Sequence, residues 1–226
     1  MIKTRKWLVG PVILLLIGAL FSSTIMVSAD PATAVVVQPA SKVVGIGETF
    51  TVGVYVTPDT QIAGVQFSLS FTPSVVTANG VTEGNLLTQG GASTFFQAGT
   101  INNGAGTITN VAGAIITPGA SVSTPGTFAT VSLTAGAVAG TSALTLSNVV
   151  VGNKTGQAVG ITVTSGSVTV APDWDVNLDL SVNVLDMTLV GQHWGETGAP
   201  HWIRADVSRD GAINVLDMIL IGQHWA

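Results

Sequence analysis

The stretch Asp175-Val-Asn-Leu-Asp-Leu-Ser-Val-Asn-Val-Leu-Asp-Met-Thr-Leu-Val-Gly-Gln-His-Trp194 returns 31 residues later as Asp206-Val-Ser-Arg-Asp-Gly-Ala-Ile-Asn-Val-Leu-Asp-Met-Ile-Leu-Ile-Gly-Gln-His-Trp225. Each copy opens with oxygen side chains at positions 1, 3, 5, 9 and 12 of a twelve-residue loop: Asp175, Asn177, Asp179, Asn183 and Asp186, then Asp206, Ser208, Asp210, Asn214 and Asp217. Calcium takes six to eight hard oxygen ligands, and alternate side chains, a position 7 carbonyl and a position 12 carboxylate wrap a loop around one ion. The spacing therefore predicts two Ca²⁺ sites, with Ser181 and Ala212 supplying the carbonyls and Asn183 and Asn214 acting through a water. The competing reading is an Asx-rich turn that only caps a helix. Duplication in one register argues against it.

Beyond each loop, Met187, Val190 and Trp194, and again Met218, Ile221 and Trp225, recur at helical spacing and predict a core-facing stripe. A second face carries Val184, Leu185, Thr188, Gly191 and Gln192, mirrored by Val215, Leu216, Ile219, Gly222 and Gln223. A module of about fifty residues has one small interior, so this second face, with its mid-helix glycines, is expected to dock a partner. The alternative is that these apolar residues merely complete the core.

The duplicated loop with Asp rather than Glu at position 12, each followed by one helix, resembles a type I dockerin over 173–225. Two positions depart from the pattern: Leu180 stands where position 6 is usually Gly, and Ser208 is a weaker position 3 ligand. The resemblance implies pairing with cohesin modules through Val184, Leu185, Gly191 and Gln192 in the first copy and Val215, Leu216, Gly222 and Gln223 in the second. Near-identity of the two faces implies two docking orientations related by a half-turn.

From 30 to 171 the chain changes character. Charges almost vanish, and alternating runs such as Phe50, Val52, Val54, Val56 and Val65, Phe67, Leu69, Phe71 are separated by Gly and Pro. Such runs predict strands, and about nine of them predict an antiparallel β-sandwich. Further strands are expected at 35–38, 94–98, 107–115, 127–134, 143–151 and 161–170. The segments Gly47 to Val56, Ile62 to Val76 and Gly166 to Val170 resemble a cohesin, which implies a nine-stranded jelly roll and a dockerin-receiving sheet face that includes Gln66, Ser68 and Ser70. The alternative for that row is an ordinary solvated sheet face. The fold expected is thus mainly β: a cohesin-like sandwich followed by a small all-α calcium module, 172–226, with repeats 175–194 and 206–225.

Lys3, Arg5 and Lys6 precede an apolar run from Trp7 to Phe21 and a small-residue site at Val27-Ser28-Ala29, which reads as a secretory signal peptide over 1–29. A retained anchor is the lesser alternative. The chain has no Cys, so calcium rather than disulfides would staple an exported module. Beyond residue 29 four basic and twelve acidic residues leave a net charge of −8, which disfavours nucleic acid as a partner. Catalysis finds little support: between 30 and 170 there is no His, which a hydrolase triad would need, and the only acids, Asp30, Glu48, Asp59 and Glu83, are each isolated in sequence, whereas a glycosidase needs two carboxylates flanking the bond. The histidines His193, His201 and His224 all fall in the repeat region, two of them where helix C-termini are expected; a zinc site built from all three is the lesser reading. Trp174, Trp194, Trp202 and Trp225 are expected in the small core.

Only Ala171-Pro172 links the sandwich to Asp173, a reach of about 10 to 15 Å, so docking is expected between molecules. The reading is a non-catalytic, secreted or surface-associated adaptor with two Ca²⁺ ions. Its partners would be dockerin- or cohesin-bearing proteins, or itself head to tail, with polysaccharide met only indirectly and no membrane after signal cleavage. A sugar-binding sandwich on the cell surface is the rival from another class, and a structural surface-layer protein a third.

Overall fold

The computed structural model describes residues 32–225, so the expected signal peptide lies outside the described residues. In chain order the elements are β1 (Thr33–Gln38), β2 (Ser41–Gly45), β3 (Thr49–Thr57), β4 (Gly64–Ser70), β5 (Val76–Glu83), β6 (Thr94–Gln97), β7 (Thr100–Asn102), β8 (Thr107–Ile115), β9 (Gly126–Ala135), β10 (Gly140–Gly152), β11 (Ile161–Thr164) and β12 (Gly166–Ala171). Helices α1 (Val184–Gln192) and α2 (Val215–Gln223) follow.

The alternating runs do form a two-sheet sandwich. One sheet has the order β11-β1-β3-β9-β5; the other runs β2-β12-β10-β4-β8-β6, with β7 pairing β8. Apolar residues at every second position of β3 and β4 point inward and are buried, as the period of two along a strand requires, and in β9 the alternation runs through Ala129, Val131 and Leu133 beyond a register shift at Phe128. Phe128 sits between Phe67 and Phe96, with edge-to-face ring contacts at 5.9 and 5.8 Å, the geometry aromatic quadrupoles prefer.

Both terminal strands of the sandwich switch sheets. β1 and β11 run parallel in the first sheet, and their continuations β2 and β12 run parallel in the second. Counting each switching pair once leaves nine principal strands plus the short β7. β5 escaped the sequence reading because its Asn79-Gly80 pair looks like a turn. It lies instead at a register shift in the β5–β9 ladder, a bulge that absorbs the extra residue.

This topology places the repeat module. The last paired residue of β12, Ala171, lies opposite Gly45 of β2, so the chain leaves the sandwich at one end. The module's own core is Val176, Val190, Ala205, Val207, Ile213 and Ile221, with Trp174, Met187 and Met218 packed against it. Trp194 and Trp225 are not part of it. α1 and α2 end at Gln192 and Gln223, capped by His193 and His224, so each Trp lies past the point where helical periodicity holds and is about half exposed, as is Trp202.

Candidate calcium loops and docking faces

Each loop folds around its position 1 and position 12 carboxylates. Asp186 accepts from Val176 N (2.7 Å), Asn177 N (3.1 Å) and Asn183 N (2.9 Å), while Asp175 accepts from Asp179 N (3.2 Å) and Leu180 N (3.0 Å). In the second loop Asp217 accepts from Ser208 N and Asn214 N, both at 2.8 Å, and Asp206 from His201 N (2.6 Å), Asp210 N (3.1 Å) and Gly211 N (3.0 Å). Asn183 and Asn214 serve as helix N-caps, accepting from Leu185 N and Leu216 N at 2.8 Å, and Asp186 and Asp217 complete the capping boxes. The capping reading and the loop reading thus describe the same residues, since a carboxamide oxygen that caps still has a second lone pair for water.

The electrostatics call for a cation. Asp175, Asp186, Asp206 and Asp217 are buried, and among the described residues none of them is in a salt bridge. Burying ionised carboxylates is costly unless they are paired or coordinate metal. Burial pushes the Asp175 carboxyl above its usual range; the Leu180 amide pulls against this, and the neighbouring Asp186 and Asp179 charges add to the rise. Among the described residues no three acidic or imidazole side chains already converge as a metal cluster. The remaining expected donors are the Asp179 and Asp210 carboxylates with amide, hydroxyl and carbonyl oxygens, an all-oxygen set that suits calcium rather than zinc. The histidines are engaged separately: His193 Nδ1 lies 3.1 Å from Glu196, His201 Nε2 3.5 Å from Asp173, and His224 stacks on Trp174 with ring centroids 3.6 Å apart.

All eight residues of the expected docking face are exposed: Val184, Leu185, Gly191 and Gln192 on one helix, Val215, Leu216, Gly222 and Gln223 on the other. Val184 and Val215 expose 57% and 53% of their surface, values that a completed core would not leave. The glycines do have a packing use, contrary to expectation. A Cβ on Gly191 would lie 3.7 Å from Met218 Cε and one on Gly222 3.5 Å from Met187 Cε, so each small residue admits the other helix's methionine.

On the sandwich, Gln66 is exposed and Ser70 half-buried, but Ser68 is buried. The β4–β8 register shifts between Phe67 and Leu69, and Asn110, at φ 58, brings its amide to 3.5 Å from Ser68 Oγ. The face instead extends sideways. Gln66 pairs with Val150 on one side and Ala112 on the other, Ala112 pairs with Gln97, and Ala114 pairs with Phe95. Phe95 and Val150 are 56% and 46% exposed, and β4, β6, β8 and β10 carry no ionisable residue. Phe95 was missed because a lone aromatic beside the inward Phe96 looks like core until the pairing is known.

Arg204 carries no local signal in the sequence. It lies between the loops, and its guanidinium donates to the carbonyls of Val176 (3.2 Å), Pro172 (3.2 Å) and Asp175. Burial pulls its pKa down, while the charges of Asp173, Asp175, Glu48 and Asp186 pull it back up. Arg209 makes a two-pronged pair with Asp173, at 2.7 and 2.9 Å.

Two family models match the chain: a cohesin domain over residues 33–170 and a dockerin type I domain over residues 174–224. Among solved structures, a cohesin from Clostridium acetobutylicum is 20% identical, covers 62% of this chain and 91% of its own, and superposes with a TM-score of 0.51. A type I cohesin–dockerin complex from Clostridium thermocellum gives 14%, 62%, 100% and 0.52, and the sixth cohesin of Acetivibrio cellulolyticus scaffoldin B, in complex with a dockerin, gives 15%, 62%, 100% and 0.51. These likenesses show the fold. No curated protein matches the chain.

Proposed function

Because the chain belongs to the cohesin family and carries a dockerin type I domain behind its cohesin, we propose that it is an exported, calcium-dependent adaptor with a receptor face at one end and a plug at the other. Cohesin and dockerin are interaction domains rather than catalytic ones, and type I dockerins bind calcium. Four carboxylates buried in a fifty-residue module, with no salt bridge among the described residues, are the observation that carries the calcium reading.

Asp175, Asn177, Asp179, the Ser181 carbonyl, Asn183 and Asp186 would hold one ion, and Asp206, Ser208, Asp210, the Ala212 carbonyl, Asn214 and Asp217 the other. Bound Ca²⁺ would neutralise the carboxylates and hold each loop against its helix. The chain's own part is to present Val184, Leu185, Val215 and Leu216 on two short helices with capped starts. Gln66, Ala112, Phe95 and Val150 form a receptor surface as neutral and apolar as that plug. A partner bringing a charged group to either face would bury it unpaired, so a second copy of the chain is a matched occupant and head-to-tail addition would give an open array.

The export reading rests on the basic and apolar segment before residue 30. Among the described residues no helix is long and apolar enough to cross a membrane.

Light scattering on a size-exclusion column, run across concentrations in calcium and in chelator, tests the adaptor. Mass that grows with concentration only in calcium is expected. A monomer under both conditions would rule out self-matching and leave a bridge between different partners, whereas selective retention on a glycan array would favour a sugar-binding sandwich.

A further inference from the structure

The Arg204 guanidinium grips the first calcium loop from behind. Two of its three carbonyl partners, Asp175 and Val176, are positions 1 and 2 of that loop, and the third, Pro172, is in the linker. The same guanidinium lies against the sandwich. Gly45, the residue of β2 opposite Ala171, has no side chain, and a Cβ built there would overlap the guanidinium, with Arg204 Cζ 3.0 Å away. Together with Ile46, Gly47, Glu48 and His201, Gly45 and Arg204 line a shallow cavity of about 370 Å³ at the joint. Glu48 is fixed there by accepting from Gly45 N at 2.9 Å, and its charge favours the guanidinium.

We propose that Arg204 is a positioning residue that pins calcium loop 1 to the end of the cohesin, so that calcium binding in the dockerin depends on the absence of a side chain at Gly45 in the other domain. Peptide carbonyls held by a cation fix the backbone from which Asp175 and Asn177 project, and groups of this outer kind set metal affinity by orienting the ligands. Seating the guanidinium requires the space that Gly45 leaves. Loop 2 has no such contact: Arg204 reaches no carbonyl of 206–217. The pin also joins the two binding faces into one body.

The inference rests on the calcium reading of loop 1, and its test separates the two. Calcium is titrated calorimetrically into the full two-domain chain after chelation, for wild type, Gly45→Ala, Arg204→Met and the double variant. Two sites are expected in wild type. Gly45 has no positive φ, so alanine suits its backbone, and the cohesin should melt as before. Gly45→Ala should nonetheless weaken one of the two dockerin sites about tenfold, leave the other unchanged, and add nothing in the Arg204→Met background. A small-angle scattering envelope that widens in Gly45→Ala would report the released joint. Two wild-type sites that Gly45→Ala leaves untouched would overturn the inference and spare the calcium reading. No heat in wild type would overturn both. If Arg204→Met fails to fold, Gly45→Ala alone decides.

Discussion

The two repeat loops share a register and a capping box, yet they reach the same backbone path at different cost. Position 6 has φ +82 in the second loop, where it is Gly211, and φ +67 in the first, where it is Leu180. Position 4 is left-handed in both, at Arg209 and Leu178. A left-handed residue with a Cβ costs about 1–2 kcal/mol, so loop 1 carries strain at two positions and loop 2 at one. Loop 1 has the better side-chain donor at position 3, Asn177 against Ser208, and the Arg204 clamp. The two copies thus share their capped loop path while each carries its own compensation.

If the helices behind the loops are equivalent as docking surfaces, either can serve alone. Val184→Asp with Leu185→Asp should leave affinity for a second copy within about twofold, because the module can turn to present the other face. Adding Val215→Asp and Leu216→Asp should abolish binding in a concentration-series light-scattering assay. Both pairs sit in first helical turns, where acidic side chains favour the helix dipole, so lost binding would not reflect lost helix. Abolition by the first pair alone would show the copies to be inequivalent.

Position 6 breaks the comparison most directly. Gly211→Leu imposes the left-handed cost and a clash, since a Cβ there would lie 2.6 Å from the Gly198 carbonyl oxygen. Loop 2 affinity should fall at least tenfold, the equivalent of about 1.4 kcal/mol. The converse change is gentler. Leu180 is half exposed and forfeits little packing, so Leu180→Gly should tighten loop 1 by up to about fivefold, the relieved strain being partly offset by a more flexible unfolded chain. An unchanged isotherm would mean that Leu180 stores no strain.

The loops, caps and exposed Val-Leu pairs were legible because each is written in local spacing: oxygen donors every second residue, Asn three positions before Asp, apolar pairs outside the helical stripe. The sandwich was legible for the same reason, through alternation at Phe50 to Val56 and Val65 to Phe71. What escaped depends on residues far apart in the chain. Ser68 is buried by a register slip against Asn110, Phe95 joins the outer face through Ala114, and Arg204 acquires its role only where β2 ends at Gly45. Trp194 and Trp225 misled because a period of 3.6 was carried one residue past each helix cap.

The smallest expected effect distinguishes loop 1 with and without its ion. In chelator, Asp175 has a folded-state pKa above its ordinary 3.8, chiefly through burial and then through Asp186 and Asp179. A group raised in this way contributes stability that is fully present below pH 3.8 and is lost as pH rises through the folded value. The calcium-free chain should therefore lose part of the dockerin's melting temperature as pH climbs from about 3.8, and Asp175→Asn should flatten that component of the slope. With calcium the sign reverses, because the ion binds the ionised carboxylate and acid displaces it. Parallel pH profiles with and without calcium would mean that Asp175 does not face the ion.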